Sequence, residues 1–205
     1  MAKTTILVIF FLLFAFTSSK FASASADMVL DAEGGMLKNG GSYHIVPALS
    51  GRVLRFHGFS ASCGGIGLAA IGNETCPLTV VQKPSEETDG LPLIISSPAR
   101  IAYIAEGLLL DIAFSAVPTC APTLSKWTIV EEQPAGMSVK IRGYNNTVDG
   151  KFKIIKYQSL FSKLKFCPTG DPCGDLGLYY DESGNRHLVI VTDESPLAVL
   201  FKKVL

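Results

Sequence analysis

The sequence has no surplus of either charge, with 18 Lys and Arg against 18 Asp and Glu. It therefore carries no basic field that would draw in nucleic acid or an anionic membrane surface. No CxxC pair occurs, and the three histidines, His44, His57 and His187, lie far apart, so nothing reads as a zinc or redox centre. Neither metal nor cofactor is expected. The motifs of nucleotide and hydrolase chemistry are also missing: no G-x-S-x-G elbow, no P-loop, no H-E-x-x-H. Gly64-Gly65-Ile66-Gly67 is glycine-rich, but no helical pattern follows it to cradle a phosphate, and it reads as a turn. The acids read as solvated surface groups rather than as a glycosidase pair. These absences argue against an enzyme.

The one long apolar run is at the start. Lys3 precedes an unbroken stretch from Ile6 to Phe16, and Ala24-Ser25-Ala26 fits the small-residue rule for signal peptidase, with cleavage before Asp27. That stretch is too short to span a bilayer, which takes about 20 residues. Residues 1–26 are expected to be a removed leader and 27–205 a single exported domain, with no membrane partner once the leader is gone. Loss of Lys3 and Lys20 leaves 16 basic residues against 18 acids, a net charge of −2.

Beyond the leader no sustained helical period appears. Apolar and β-branched runs instead recur at Leu78–Gln82, Leu108–Phe114, Lys126–Val130, Met137–Ile141, Lys151–Tyr157, His187–Val191 and Leu197–Val204. Several alternate in the period-two manner, with Gly, Pro, Asn or Asp between them, which predicts an all-β sandwich or barrel with little helix. The five cysteines, Cys63, Cys76, Cys120, Cys167 and Cys173, suit export but leave their pairing open. Asn73-Glu74-Thr75 and Asn145-Asn146-Thr147 are candidate glycan acceptors.

One short segment has the form of a protease bait. Ile94-Ile95-Ser96-Ser97-Pro98-Ala99-Arg100-Ile101-Ala102-Tyr103 displays a lone cation, Arg100, between Ala99 and Ala102. Pro98 fixes its own φ and pushes Ser97 toward extended backbone. An extended segment with one arginine is what a trypsin-like serine protease reads, because its specificity pocket holds a buried aspartate.

Longer stretches resemble a known family. Val29-Leu30-Asp31-Ala32-Glu33-Gly34-Gly35-Met36-Leu37-Lys38-Asn39-Gly40-Gly41-Ser42-Tyr43-His44-Ile45 is similar to the N-terminal signature of the plant Kunitz-type, soybean trypsin inhibitor family, departing at Gly35. The likeness continues through Thr75–Gln82, the Ile94–Tyr103 segment, Ile104–Gly107, Trp127–Glu131, Lys165–Pro168, Cys173–Gly177 and Arg186–Ile190.

That resemblance implies a β-trefoil of twelve strands in three similar units, with bridges Cys76–Cys120 and Cys167–Cys173 and Cys63 left over. It implies a secreted, monomeric serine protease inhibitor, binding trypsin-like enzymes as a substrate does. The reactive loop would be Ser97, Pro98, Ala99, Arg100, Ile101 and Ala102, with the reactive bond between Arg100 and Ile101. Asn39 matches the asparagine that braces this loop. Residues from about Leu49 to Cys63 look like an insertion relative to the family. The alternative function is a non-inhibitory storage, stress-response or taste-modifying trefoil.

Overall fold

The computed structural model describes residues 27–48, 64–76, 78–84, 89–121, 125–132, 135–141, 144–192 and 196–204. The expected leader, the apparent insertion and Cys63 lie outside the described residues.

Alternation becomes strand wherever a run can bury every second side chain. In β9 (Gly150–Tyr157), Phe152 and Ile154 are buried while Lys151 and Lys153 are partly exposed. β10 (Phe161–Pro168) buries Leu164 and Phe166 and pairs antiparallel with it, so Leu164 faces Ile154 and Phe166 faces Phe152. The other strands are β1 (Gly41–Ala48), β2 (Ile66–Ala69), β3 (Thr79–Gln82), β4 (Leu93–Ser96), β5 (Asp111–Phe114), β6 (Trp127–Glu132), β7 (Gly136–Ile141), β8 (Thr147–Val148), β11 (Gly174–Tyr180), β12 (Arg186–Val191) and β13 (Ala198–Lys203). No helix occurs among the described residues.

The strands form one sheet running β5-β4-β1-β13-β10-β11-β12-β3-β7-β6-β8. Lys126, just before β6, bridges back to Ala113 of β5, so the sheet closes on itself. Three hairpins, β2–β3, β6–β7 and β11–β12, meet through mutual pairings: His187 with Val81, Val189 with Ser138, and Thr79 with Lys140. A closed sheet capped by three such hairpins is a β-trefoil. Thirteen strands stand where twelve were expected, because Thr147–Val148 forms a two-residue strand against Ile129 and Val130.

The core is continuous. Phe114, Trp127, Phe152 and Phe166 form a chain of rings with successive centroids 6.0, 5.8 and 5.3 Å apart, in tilted or edge-on contacts favoured by ring quadrupoles. Disulfides join Cys76 to Cys120 and Cys167 to Cys173. The glycine run read as a turn is instead the entry to β2. A Cβ on Gly65 would lie 1.9 Å from the Asp89 carbonyl oxygen, and one on Gly67 would meet the Lys83 side chain at 2.6 Å. These glycines admit close packing of neighbouring segments.

Candidate functional site

β4 carries the chain out of the core and Ile104 brings it back. Leu93, Ile95 and Ile104 are fully buried, whereas Pro98, Ala99, Arg100, Ile101 and Ala102 are exposed and Ser97 is half-buried. Apolar anchors thus fix both ends of a six-residue excursion, 97–102, whose own side chains contribute little to the core.

A second segment lies beneath the excursion. Lys38-Asn39-Gly40-Gly41 is a tight turn closed by Gly41 N–H donating to the Lys38 carbonyl at 3.0 Å. Gly40 has φ +75° and Asn39 has no positive φ, the pattern of a type II turn. The buried Tyr43 hydroxyl accepts from Lys38 N–H at 2.8 Å, and a Cβ on Gly41 would strike the Tyr43 ring at 2.7 Å. The turn is therefore fixed to the core by a ring packed against its own backbone.

From this turn the Asn39 side chain enters the excursion. Its Oδ1 accepts from Ser97 N–H at 2.8 Å, and its Nδ2 lies 3.3, 3.2 and 3.1 Å from the carbonyl oxygens of Ser97, Ala99 and Ile101. Two N–H donors are shared among three acceptors. Backbone bonds complete the clamp, with Gly40 N–H donating to Ile95 O at 2.8 Å and Asn39 N–H to Ala102 O at 2.9 Å. Loop backbone that would otherwise face only water is thus satisfied from within the protein, and its conformational freedom is already restricted.

Arg100 sits at the apex. Ile101 N–H donates to the Ala99 carbonyl at 2.9 Å, closing a three-residue turn centred on Arg100. Ser97 Oγ accepts from Ala99 N–H at 3.3 Å. Among the described residues no carboxylate pairs with the guanidinium. The acids that flank the segment in sequence are engaged elsewhere, Asp89 with Lys202 and Glu106 as acceptor of Lys156 N–H. A single uncompensated cation therefore stands on a braced, exposed loop.

The structure bonds Asn39 to four of the six loop residues named from sequence, Ser97, Ala99, Ile101 and Ala102. Gly40, Gly41 and Tyr43 are the supporting residues that sequence reasoning did not single out, and the Asn39-Gly40 dipeptide was the available signal for the turn. Asn73 and Asn145 are both exposed.

The chain as a whole is similar to known proteins. The Kunitz legume family model, described as trypsin and protease inhibitor, matches residues 29–203. Trypsin inhibitor 1B of Psophocarpus tetragonolobus is 46% identical over 179 residues, covering 86% of this chain and 97% of that protein. Trypsin inhibitor A of Glycine max is 39% identical over 211 residues, covering 98% and 92% respectively. Among solved structures, a complex of porcine pancreatic trypsin with soybean trypsin inhibitor matches with a TM-score of 0.76 at 39% identity, over 87% of this chain and 100% of that one.

Proposed function

The chain belongs to the Kunitz legume family of trypsin and protease inhibitors, and from that membership and the braced loop we propose that it inhibits trypsin-like serine proteases by binding as a substrate does. The family is one of inhibitors rather than enzymes. The reactive bond joins Arg100 to Ile101, and residues 97–102 occupy the protease cleft. Asn39 is the brace. The protein acts as a monomer outside the cytoplasm, exported by a leader ending at Ala26.

One observation carries the reading: a single half-buried side-chain amide, that of Asn39, reaches three carbonyls spaced along the loop on both sides of Arg100. A loop held in this way loses little entropy on docking, so more of the contact energy appears as affinity. The cation meets an aspartate in the protease pocket through charge-assisted hydrogen bonds, which suit the guanidinium fork. An interface of ordinary size, about 800 Å² per partner, is sufficient.

Titration of trypsin with the purified protein tests this. The expected result is loss of activity at one inhibitor per enzyme, with Arg100→Ala much weaker. Undiminished trypsin activity at several-fold excess of folded protein would favour the storage reading instead.

A further inference from the structure

A cleft of about 620 Å³ opens where the three hairpins meet, and it shares no residue with loop 97–102. The β2–β3 connection supplies Asn73 and Glu74 to its lining, the segment after β7 supplies Tyr144, and the β11–β12 hairpin supplies Tyr179, Ser183 and His187.

The charges in its floor are matched, and only Glu182 on the exposed rim has no partner among the described residues. Glu74 Oε1 accepts from Thr79 Oγ1 at 2.7 Å, Lys140 Nζ at 2.6 Å and the Tyr144 hydroxyl, while Oε2 accepts from Ile71 N–H at 3.1 Å. His187 Nε2 lies 2.9 Å from Asp181 Oδ2, which also accepts from Asn185 Nδ2 at 2.8 Å. A floor so compensated offers little to a charged ligand. What it does offer is two tyrosine rings and the exposed Ser183 on the rim. Aromatic walls with a few polar groups suit a neutral ligand that has both an apolar face and hydroxyls. A sugar ring has that chemistry.

The sequence places a candidate attachment point for such a ligand at the cleft wall. Asn73 is exposed in a turn closed by Glu74 N–H donating to the Ile71 carbonyl at 3.1 Å, with Gly72 at φ +58°. Thr75 completes the Asn-X-Thr acceptor, and its middle residue is the clamped Glu74. The sequon is therefore rigidly placed. A sugar leaving Asn73 starts from a fixed point on the wall, and a short tether gives it an effective concentration on the order of millimolar, so weak contacts are enough to seat it.

We propose that Asn73 carries an N-linked glycan whose first N-acetylglucosamine residues lie in this cleft. The inference rests on the proposed export, since the donor is met on the secretory route. Attachment joins Asn73 Nδ2 to the anomeric carbon of an oligosaccharide carried on a lipid diphosphate. The bond from that carbon to the diphosphate oxygen breaks, the diphosphate leaves with the electron pair, and the amide loses one proton. Asn145, also exposed but absent from the cleft lining, is the internal control.

The full chain is expressed in plant cells held at the high-mannose stage and treated with an endoglycosidase that cuts between the first two N-acetylglucosamines. Peptide mass spectrometry follows each sequon and the N-terminus. The expected result is an occupied Asn73 whose glycan is released at least tenfold more slowly than that of Asn145 from folded protein, with equal rates after denaturation. Ser183→Trp, at the exposed rim, should fill the cleft and abolish the difference. Equal release from folded wild type, an empty Asn73 on a chain that has lost residues 1–26, or full protection retained in Ser183→Trp would overturn the proposal. A chain that keeps residues 1–26 with both sequons empty would overturn the export reading, and the glycan with it.

Discussion

Asn39 Nδ2 lies 3.1 Å from the carbonyl oxygen of Ile101, sixty-two residues further along the chain. The same side chain holds Ser97 N–H at 2.8 Å. Asn39→Ala removes both contacts and leaves loop carbonyls to water. Affinity for trypsin should fall by about 1–3 kcal/mol, the scale of a lost hydrogen-bond partner, and the variant should be cut faster. Inhibition constants and cleavage rates measured together provide the check, and wild-type values for both would remove Asn39 from the role of brace.

Arg100 is exposed and unpaired among the described residues, so its removal should be felt by the protease and hardly by the fold. Arg100→Ala leaves the pocket aspartate desolvated without a partner, at about 2–5 kcal/mol. At about 1.4 kcal/mol per decade this is a weakening of roughly thirty-fold to a few thousand-fold. Arg100→Leu should shift inhibition toward chymotrypsin-like enzymes, whose pocket is apolar. Stability should change by less than about 0.5 kcal/mol in either variant. Unchanged trypsin inhibition by folded Arg100→Ala would mean that another basic residue is the bait.

The Cys76–Cys120 bridge, with a sequence separation of 44, encloses the whole loop, whereas Cys167–Cys173 closes a separation of only 6. On the chain-entropy account they contribute about 4 and about 2 kcal/mol respectively. Denaturant titration should find Cys76→Ala/Cys120→Ala the less stable of the two double variants. Protein nicked after Arg100 should also migrate as one species until reductant is added, since Cys76 and Cys120 fall on opposite sides of the cut.

Acid should weaken the hairpin junction. Burial pushes the Glu74 carboxyl up, but hydrogen bonds from Lys140, Tyr144, Thr79 and Ile71 N–H outweigh it and hold the group below its ordinary value of 4.5. A lowered folded value means that this stabilisation is present above the ordinary glutamate value and is lost as pH falls from there through the lowered folded value. Glu74→Gln removes the carboxylate facing Lys140, whose side chain is 5% exposed, and should cost on the order of 3 kcal/mol near neutrality. Its stability should then depend less steeply on pH below 4.5 than that of the wild type. Asp111 and Asp175, also lowered as their lysine partners overcome burial, keep some acid dependence in both proteins. Parallel curves for the two proteins in urea would count against this account.

Alternation made β9 legible in the sequence, because buried Phe152 and Ile154 alternate with partly exposed Lys151, Lys153 and Ile155, whereas β12 was legible as a short apolar run whose His187, Leu188 and Val189 are buried in succession. β2 and β11 were not legible. Their glycines lower strand propensity, and the reason for them is cross-strand: a Cβ on Gly174 would meet Ile190 Cγ2 at 2.4 Å, and one on Gly177 would meet Val191 Cγ1 at 2.6 Å. β4 was hidden because the segment was read as loop from Ile94 onward, although Leu93 and Ile95 are fully buried. Likeness to the family identified Asn39, but its contacts depend on residues about sixty positions away, which no local pattern encodes. The Glu74 cluster is of the same kind, joining Lys140 and Tyr144 across 66 and 70 positions.

The Asn39 amide touches carbonyls on both sides of the bond between Arg100 and Ile101, with Ser97 and Ala99 before it and Ile101 after. Peptide hydrolysis ordinarily runs far toward products in part because the two new ends gain freedom by moving apart. Here both ends would stay tied to one side chain and to the Lys38–Gly41 turn, so that gain is largely withheld. The equilibrium between cut and intact chain should then be drawn back toward parity. A protease that cleaved this loop would be left holding a pair of ends positioned for the reverse reaction, and the loop would behave as a reversible latch rather than as a consumed substrate.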